Sequence, residues 1–508
     1  MSVAYRLPLA LAAALLVAIA PDSASAQASF AACTGGNAGG FACNGVDLMA
    51  QMPLGTFSTT GSPAPGAAND IWGWTDPTNN REYAIVGLSN GTAFVDITDP
   101  EAPVFLGKLP TATTSSTWRD IKVFADHAFI VSEANDHGMQ VFDLTRLRGL
   151  SGPPQTFTAD ARYTGNGRAH NIAINEDTGF AYIVGATESG YACRGGGLHM
   201  VNIQNPAAPV FAGCFDTDGY THDTQCVLYQ GPDQDYVGRE ICFSSNEDTV
   251  TITDVTNKSA PVQIARVQYD NPSYMHQGWL TEDARFFVGD DELDSSSNGT
   301  RTLIFDVEDL DNAGFAYAHL GAVATRDHNQ YVRGNYVYQS NYDGGLRILD
   351  LTAIASGSLS EVAFFDSEPS AQSPQGWNGQ WSNFPYYASG LVVASDQNRG
   401  LFILNPTGIV TAGQAGPIPA TGFALSAPAP NPTGSESRLT LTVADAQHVR
   451  AEAFDALGRR VAVVHDGTVT AGAATQMVFE ASTLPAGPYV LRVTGETFVT
   501  TTRLTVAR

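Results

Sequence analysis

The sequence predicts an all-β protein, a seven-bladed β-propeller followed by a small C-terminal β-sandwich. Three observations carry this reading. A strand-like segment ending in Asp or Asn recurs seven times at intervals near fifty residues. Glycine (50) and proline (27) are abundant in the 508 residues, while charged residues are only 15 %, as many short strands joined by turns require. Past residue 423 the recurrence gives way to six short alternating strands with a different composition.

The recurring segment runs through Ala93–Thr98, Gln140–Leu144, His199–Ile203, Thr251–Val255, Leu303–Val307, Arg347–Leu351 and Leu401–Asn405. A β-rich run such as Tyr83–Gly87 or Phe129–Val131 precedes each copy. Ala-Pro-Val follows three of them, at Ala102, Ala208 and Ala260. Each unit therefore holds about four strands, and radial repetition of such units is the propeller solution to exposed sheet edges. The last copy has no strong strand after it. The segment Val46 to Phe57 resembles the outer strand of other units and is expected to complete the last blade and join the chain ends.

A hydrophobic content of 43 % suffices for a core. The net charge of −25 disfavours nucleic acid and anionic membrane surfaces, which need basic patches. Residues 1–26 read as a secretory signal: Arg6, an apolar run from Leu7 to Ala20, then Ala24-Ser25-Ala26 as a cleavage site. No later stretch is long and apolar enough for a transmembrane segment. Six cysteines follow, none in a Cys-x-x-Cys pair, which reads as disulfides in an oxidising compartment. Cys33 with Cys43, Cys193 with Cys214, and Cys226 with Cys242 is one connectivity among several that six cysteines allow.

Aligning the units places Asp70, Asp120, His170, His222, His276, His328 and Asn378 in one column at the start of each first strand. That strand is expected to line the central channel, so the seven form a candidate binding ring. Four of only ten histidines fall in it. His170, His222, His276 and His328 are candidate ligands for a divalent metal in the channel, since neutral imidazole suits Zn²⁺, Cu²⁺ or Fe²⁺. Hydrogen bonding between blades explains the same column without a cofactor, and both readings stay open. Asp290-Asp291-Glu292-Leu293-Asp294 reads as a solvated hairpin tip. Glu133, Glu247 and Asp396 each follow a second strand, where they either approach one face of the disc or serve as surface turn residues. Six tryptophans (Trp72, Trp74, Trp118, Trp279, Trp377, Trp381) lie close to the column, where they serve core packing or a sugar- or peptide-binding mouth. No His-Glu-x-x-His helix or phosphate loop is present, and no catalytic residue is assigned.

Thr221-His222-Asp223-Thr224-Gln225-Cys226, Met275-His276-Gln277-Gly278-Trp279-Leu280 and Asp327-His328-Asn329-Gln330-Tyr331-Val332 resemble the choice-of-anchor B family of secreted bacterial LVIVD-repeat proteins. The resemblance covers roughly residues 30–408 and implies an extracellular propeller-like domain attached to an anchor. After a linker at 411–423, residues 424–508 resemble the type A sorting domain of type IX secretion. The matching stretches are Pro430-Asn431-Pro432, Asp455-Ala456-Leu457-Gly458-Arg459, Leu484–Tyr489 (with Gly487 and Tyr489) and Thr505–Arg508. This implies contact with the type IX secretion machinery and delivery to the cell surface or medium. The expected organisation is thus a signal at 1–26, a propeller at 27–410, the linker and the sorting tail. The expected function is a surface or secreted interaction module for an extracellular protein or glycan, with a metal-binding propeller or metalloenzyme as the alternative.

The tail and the signal are each electrically neutral, so the whole −25 resides in residues 27–422. Self-repulsion of that charge is screened by salt. Lowering NaCl from about 1 M to about 0.01 M, which lengthens the Debye length from about 3 to 30 Å, is expected to lower the melting temperature measured by circular dichroism.

Overall fold

The computed structural model describes residues 29–294, 299–369, 373, 376–407, 409, 423–426, 428, 433–454, 459–471, 475–496 and 498–506. The expected signal at 1–26 lies outside them, as do most of the linker and Pro430-Asn431-Pro432, Asp455, Gly458 and Arg508 of the tail. The protein is all-β, with helix confined to short 3-10 turns such as Leu144–Leu147 among the described residues.

Among the described residues, the stretch 37–405 contributes seven sheets, each built on four main antiparallel strands. In chain order the first strands are Ala68–Thr75, Arg119–Phe124, Asn171–Asn175, Asp223–Leu228, Met275–Leu280, Gln330–Arg333 and Gln380–Phe384. Each of these neighbours the next, and Gln380–Phe384 returns to Ala68–Thr75. The sheets are therefore arranged like the blades of a propeller about a ring of first strands.

The recurring Asp or Asn has a physical role. It ends the third strand, and its side-chain oxygen accepts a hydrogen bond from the backbone N–H two residues on. This occurs at Asp96 (3.0 Å), Asp143 (2.9 Å), Asn202 (3.0 Å), Asp254 (2.9 Å), Asp306 (3.0 Å) and Asp350 (2.7 Å). Such an Asx turn ends the strand and reverses the chain toward the fourth one. The third and fourth strands also share a β-bulge at matching places, as at Phe94/Val95, Ile252/Thr253 and Ile348/Leu349, which increases local twist.

The last sheet is completed by Asp47–Met52, which pairs antiparallel with Gly400–Asn405. This is the closure expected for the segment Val46 to Phe57. Just before it, Phe41–Asn44 extends the preceding sheet by pairing with Ser360–Phe365. Three disulfides join Cys33 to Cys43, Cys193 to Cys214 and Cys226 to Cys242. Cys226 and Cys242 face each other on adjacent strands. Apolar side chains pack between neighbouring sheets, with Phe94 stacked on Phe142 at 4.3 Å between ring centroids.

The C-terminal segment forms two further sheets. One holds Phe423–Leu425, Glu436–Val443 and Thr475–Glu480. The other holds Arg460–Val469, Gln447–Phe454, Gly487–Thr494 and Val499–Val506. Leu439, Leu441 and Met477 of the first share a cluster with Val449, Ala451 and Val493 of the second. Phe423, counted with the linker from sequence, opens a strand.

Candidate functional site

His170 and His222 stand immediately before their first strands, and each donates its backbone N–H to the neighbouring second strand, at Val184 (3.0 Å) and Ser245 (2.8 Å). His276 and His328 hold similar places in the next two sheets. The result is a row of imidazoles whose centroids lie 4.3, 4.2 and 4.4 Å apart from His170 through His222 and His276 to His328. With Glu133, Tyr220, Tyr274, Glu292 and Tyr342 the four rings line a cavity of about 530 Å³ at the start of the first strands.

Three of the four rings, those of His170, His222 and His328, are held through Nδ1. That atom of His222 lies 2.9 Å from the carbonyl of His276, and that of His328 lies 2.6 Å from the carbonyl of Trp381. A carbonyl only accepts, so Nδ1 carries the proton and the neutral ring keeps its lone pair on Nε2. His170 Nδ1 is 2.6 Å from Glu133 Oε1. His276 Nδ1 is 3.5 Å from Asp290 Oδ2, and neither atom has a hydrogen-bond partner. Burial holds His222 and His276 well below the ordinary imidazole range and His328 down to about 3. These three rings are neutral at pH 7.

The column does not stay together. Asp70 and Asp120 lie in a separate buried cluster with Lys122 and Asp223. Lys122 Nζ is 2.6 Å from Asp120 Oδ1 and 4.6 Å from the centre of the Trp72 ring. Asn329 Nδ2 donates to Asp70 Oδ2 at 3.1 Å, and the backbone N–H of Ile172 donates to Asp120 at 2.8 Å. The reason is a slip of one residue in the alignment. Asp70, Asp120 and Asp223 each accept from the N–H of the following residue, at 2.6, 2.6 and 2.7 Å. The counterpart of the two aspartates is thus Asp223, not His222, and one residue along a strand turns a side chain away. Asn378 is apart again, at the surface, accepting from Asn398.

The acidic run at 290–294 also departs from expectation. Asp290 and Asp291 end a second strand and are 1 % and 0 % exposed, so they are not a solvated hairpin tip. Glu292 enters the histidine cavity, where it accepts from Tyr342 Oη at 2.7 Å. It occupies the place after the second strand that Glu133 and Glu247 hold in their units, a signal present in the sequence but not used. Asp396 is buried against Ser367. The tryptophans divide between two ends of the first strands. Trp118, Trp377 and Trp381 line the histidine cavity. Trp72, Trp74 and Trp279, with Phe384 and Tyr386, line a cavity of about 630 Å³ at the other end. Gly87-Leu88-Ser89-Asn90-Gly91 carries the letters of a nucleophile elbow but not its strand-to-helix setting. It forms a hairpin turn between Glu82–Leu88 and Gly91–Asp96, with no helix after it, and Ser89 Oγ accepts from Gly66. In the tail, Arg459, Gly487 and Tyr489 are described; Gly487 opens a strand at φ +148°, and Tyr489 donates to the Pro485 carbonyl.

The sheets and their recurrence define a repeat-containing β-propeller protein. A profile of the LVIVD repeat matches residues 166–217 and 329–362, the third and sixth of the sheets. No curated protein matches the chain. Among solved structures, a protein from Lactobacillus plantarum is 13 % identical, with 81 % of this chain and 100 % of that chain covered and a TM-score of 0.41. The β-propeller domain of Myceliophthora thermophila Cps50 (Swd1) is 10 % identical over 66 % of this chain and 95 % of its own, TM-score 0.41. The computationally designed Ika8 protein is 9 % identical over 66 % and 82 %, TM-score 0.41. Likenesses at this level carry nothing about chemistry.

Burial, and then the Asp120 carboxylate, push the Asp70 carboxyl up to about 7 against the pull of Lys122. The folded state therefore holds a proton that the unfolded chain releases near pH 3.9. This stabilisation is full below about pH 4 and is lost as pH rises through about 7. Urea midpoints of the wild type are expected to fall across that window, and those of Asp70→Asn to fall less. Equal slopes refute the assignment.

Proposed function

We propose that this chain is an exported interaction module: a seven-bladed propeller at 27–410 that binds an extracellular protein or glycan, followed by a β-sandwich sorting tail at 424–508. The observation that carries the binding reading is the aromatic cavity of about 630 Å³ lined by Trp72, Trp74, Trp279, Phe384 and Tyr386. Aromatic faces supply large apolar contact, and the nearby Glu176, Gln225, Gln230 and Glu282 supply convergent polar groups that orient a ligand. Export is supported by the three disulfides, which persist in oxidising compartments. Among the described residues no helix is long and apolar enough to cross a membrane. The signal at 1–26 and the type IX sorting motifs complete the reading, with the surface or medium as destination.

Two measurements test it. A panel of oligosaccharides and extracellular peptides, probed with purified protein, is expected to yield a ligand whose affinity falls at least about tenfold in Trp279→Ala, corresponding to about 1.4 kcal/mol. An unchanged affinity places binding elsewhere. A reporter carrying residues 411–508 behind a signal peptide is expected outside the cell in a type IX-competent host and in the periplasm of a type IX mutant. Equal distribution in both rejects the sorting assignment.

A further inference from the structure

The other end of the first strands carries a different chemistry. One ring nitrogen each of His276 and His328 and a carboxylate oxygen of Glu292 lie within 4.8 Å of one another. His328 Nε2 is 3.8 Å from Glu292 Oε1. All three residues are nine-tenths or more buried, with His276 1 % and His328 5 % exposed. Three side chains of these types, gathered from two neighbouring sheets around one point, need a reason to be there.

The surroundings supply it. A metal-bound histidine commonly turns its second nitrogen to a carboxylate or a backbone carbonyl, which fixes the ring and strengthens the ligand. His328 presents Nδ1 to the Trp381 carbonyl, and His276 presents Nδ1 to the otherwise unpartnered Asp290 Oδ2. Glu292 is held by the Tyr342 hydroxyl. His328 and Glu292 have their outward hydrogen bonds made, and His276 has an unpartnered carboxylate oxygen 3.5 Å behind Nδ1, so each keeps a ligand atom for the centre. Two other groups of ligand-type residues do not share this design. Cys193 and Cys214 are joined in a disulfide beside Asp216. Asp233, Asp309 and Asp311 sit at the surface and are spent on Leu310, Asn312 and Tyr236.

We propose that His276, His328 and Glu292 form a mononuclear site for a divalent first-row transition metal ion, with Asp290 as the positioning residue behind His276. Two imidazoles and one carboxylate serve Zn²⁺ or Fe²⁺ and leave further coordination positions free. Those positions face the cavity of about 530 Å³, which has room for water or a small exogenous ligand. His170 and His222 continue the row and flank the site rather than complete it. The proposal stands apart from the aromatic end, and either can fail without the other.

Full-length protein, stripped with a chelator, is titrated calorimetrically with Zn²⁺ and, without oxygen, with Fe²⁺. One ion per chain is expected for at least one of them. Glu292→Gln and His328→Gln are expected to weaken it more than about 100-fold, and Asp290→Asn by about 10–100-fold. His170→Gln is expected to leave it unchanged. Absence of stoichiometric binding in the wild type, or equal binding by a Glu292→Gln/His328→Gln double variant, overturns the site. X-ray absorption of the loaded wild type needs no variant. It is expected to show imidazole nitrogens at about 2.0–2.1 Å, and a shell without imidazole overturns the assignment.

Discussion

The closed succession of first strands is the constraint on which the rest of this structure depends. A free four-stranded sheet presents unpaired edges and too little apolar face to be stable alone. Set side by side around a ring, the sheets bury their faces on one another, and residues at equivalent places arrive at the same end of the channel. That is how four histidines spread over more than 150 residues come to touch in sequence. The N-terminal stretch secures the ring twice. It supplies Asp47–Met52 to the last sheet and packs Phe41 against both Phe365 and Phe402, at 5.4 and 5.3 Å.

Between the two ends of the channel lies a charged plug. Lys122 is buried among Asp70, Asp120 and Asp223, with the Trp72 ring beside its ammonium group. Taking such charges out of water costs several kcal/mol per ion unless they are paired and hydrogen-bonded. The pairing is supplied by the lysine and by backbone N–H groups of Ile71, Ile121, Ile172 and Thr224. One lysine cannot neutralise three carboxylates, and burial resolves the excess by favouring the protonated forms of both Asp70 and Asp223. The two cavities are therefore separate environments, one lined by imidazole and carboxylate, the other by indole and phenol.

Much of the architecture was legible in the sequence because each repeat spends the same residue on the same task. The Asp or Asn that ends the third strand is conspicuous as a letter because in six units its oxygen closes the turn toward the fourth strand. Of the disulfides, Cys226 with Cys242 was legible for a similar local reason, since the two flank one hairpin, while the full connectivity stayed open among alternatives. The site was legible only in part. A spacing of 50–54 residues locates a column no more finely than the loops that vary within it, and a slip of one residue exchanged His222 for Asp223. Glu292 was hidden by its neighbours: four acidic residues in five look like a solvated tip. Yet Asp290 and Asp291 are drawn inward, where Asp291 accepts from Tyr269 and the backbone of Ser273 and Tyr274. Tertiary hydrogen bonding of that kind leaves no periodic trace.

The pairing that completes the last sheet joins residues far apart in the chain: Gln51 donates to the Arg399 carbonyl across 348 positions. Contacts of such separation form late, because a long loop must be closed before they can reward the chain. Until the ribosome has passed that point, the disc is a broken circle with an unpaired edge. Completion of the ring therefore acts as a length check. A chain that stops before Gly400–Asn405 leaves Asp47–Met52 without its partner strand, and only one that reaches residue 405 withdraws that edge from the surrounding medium.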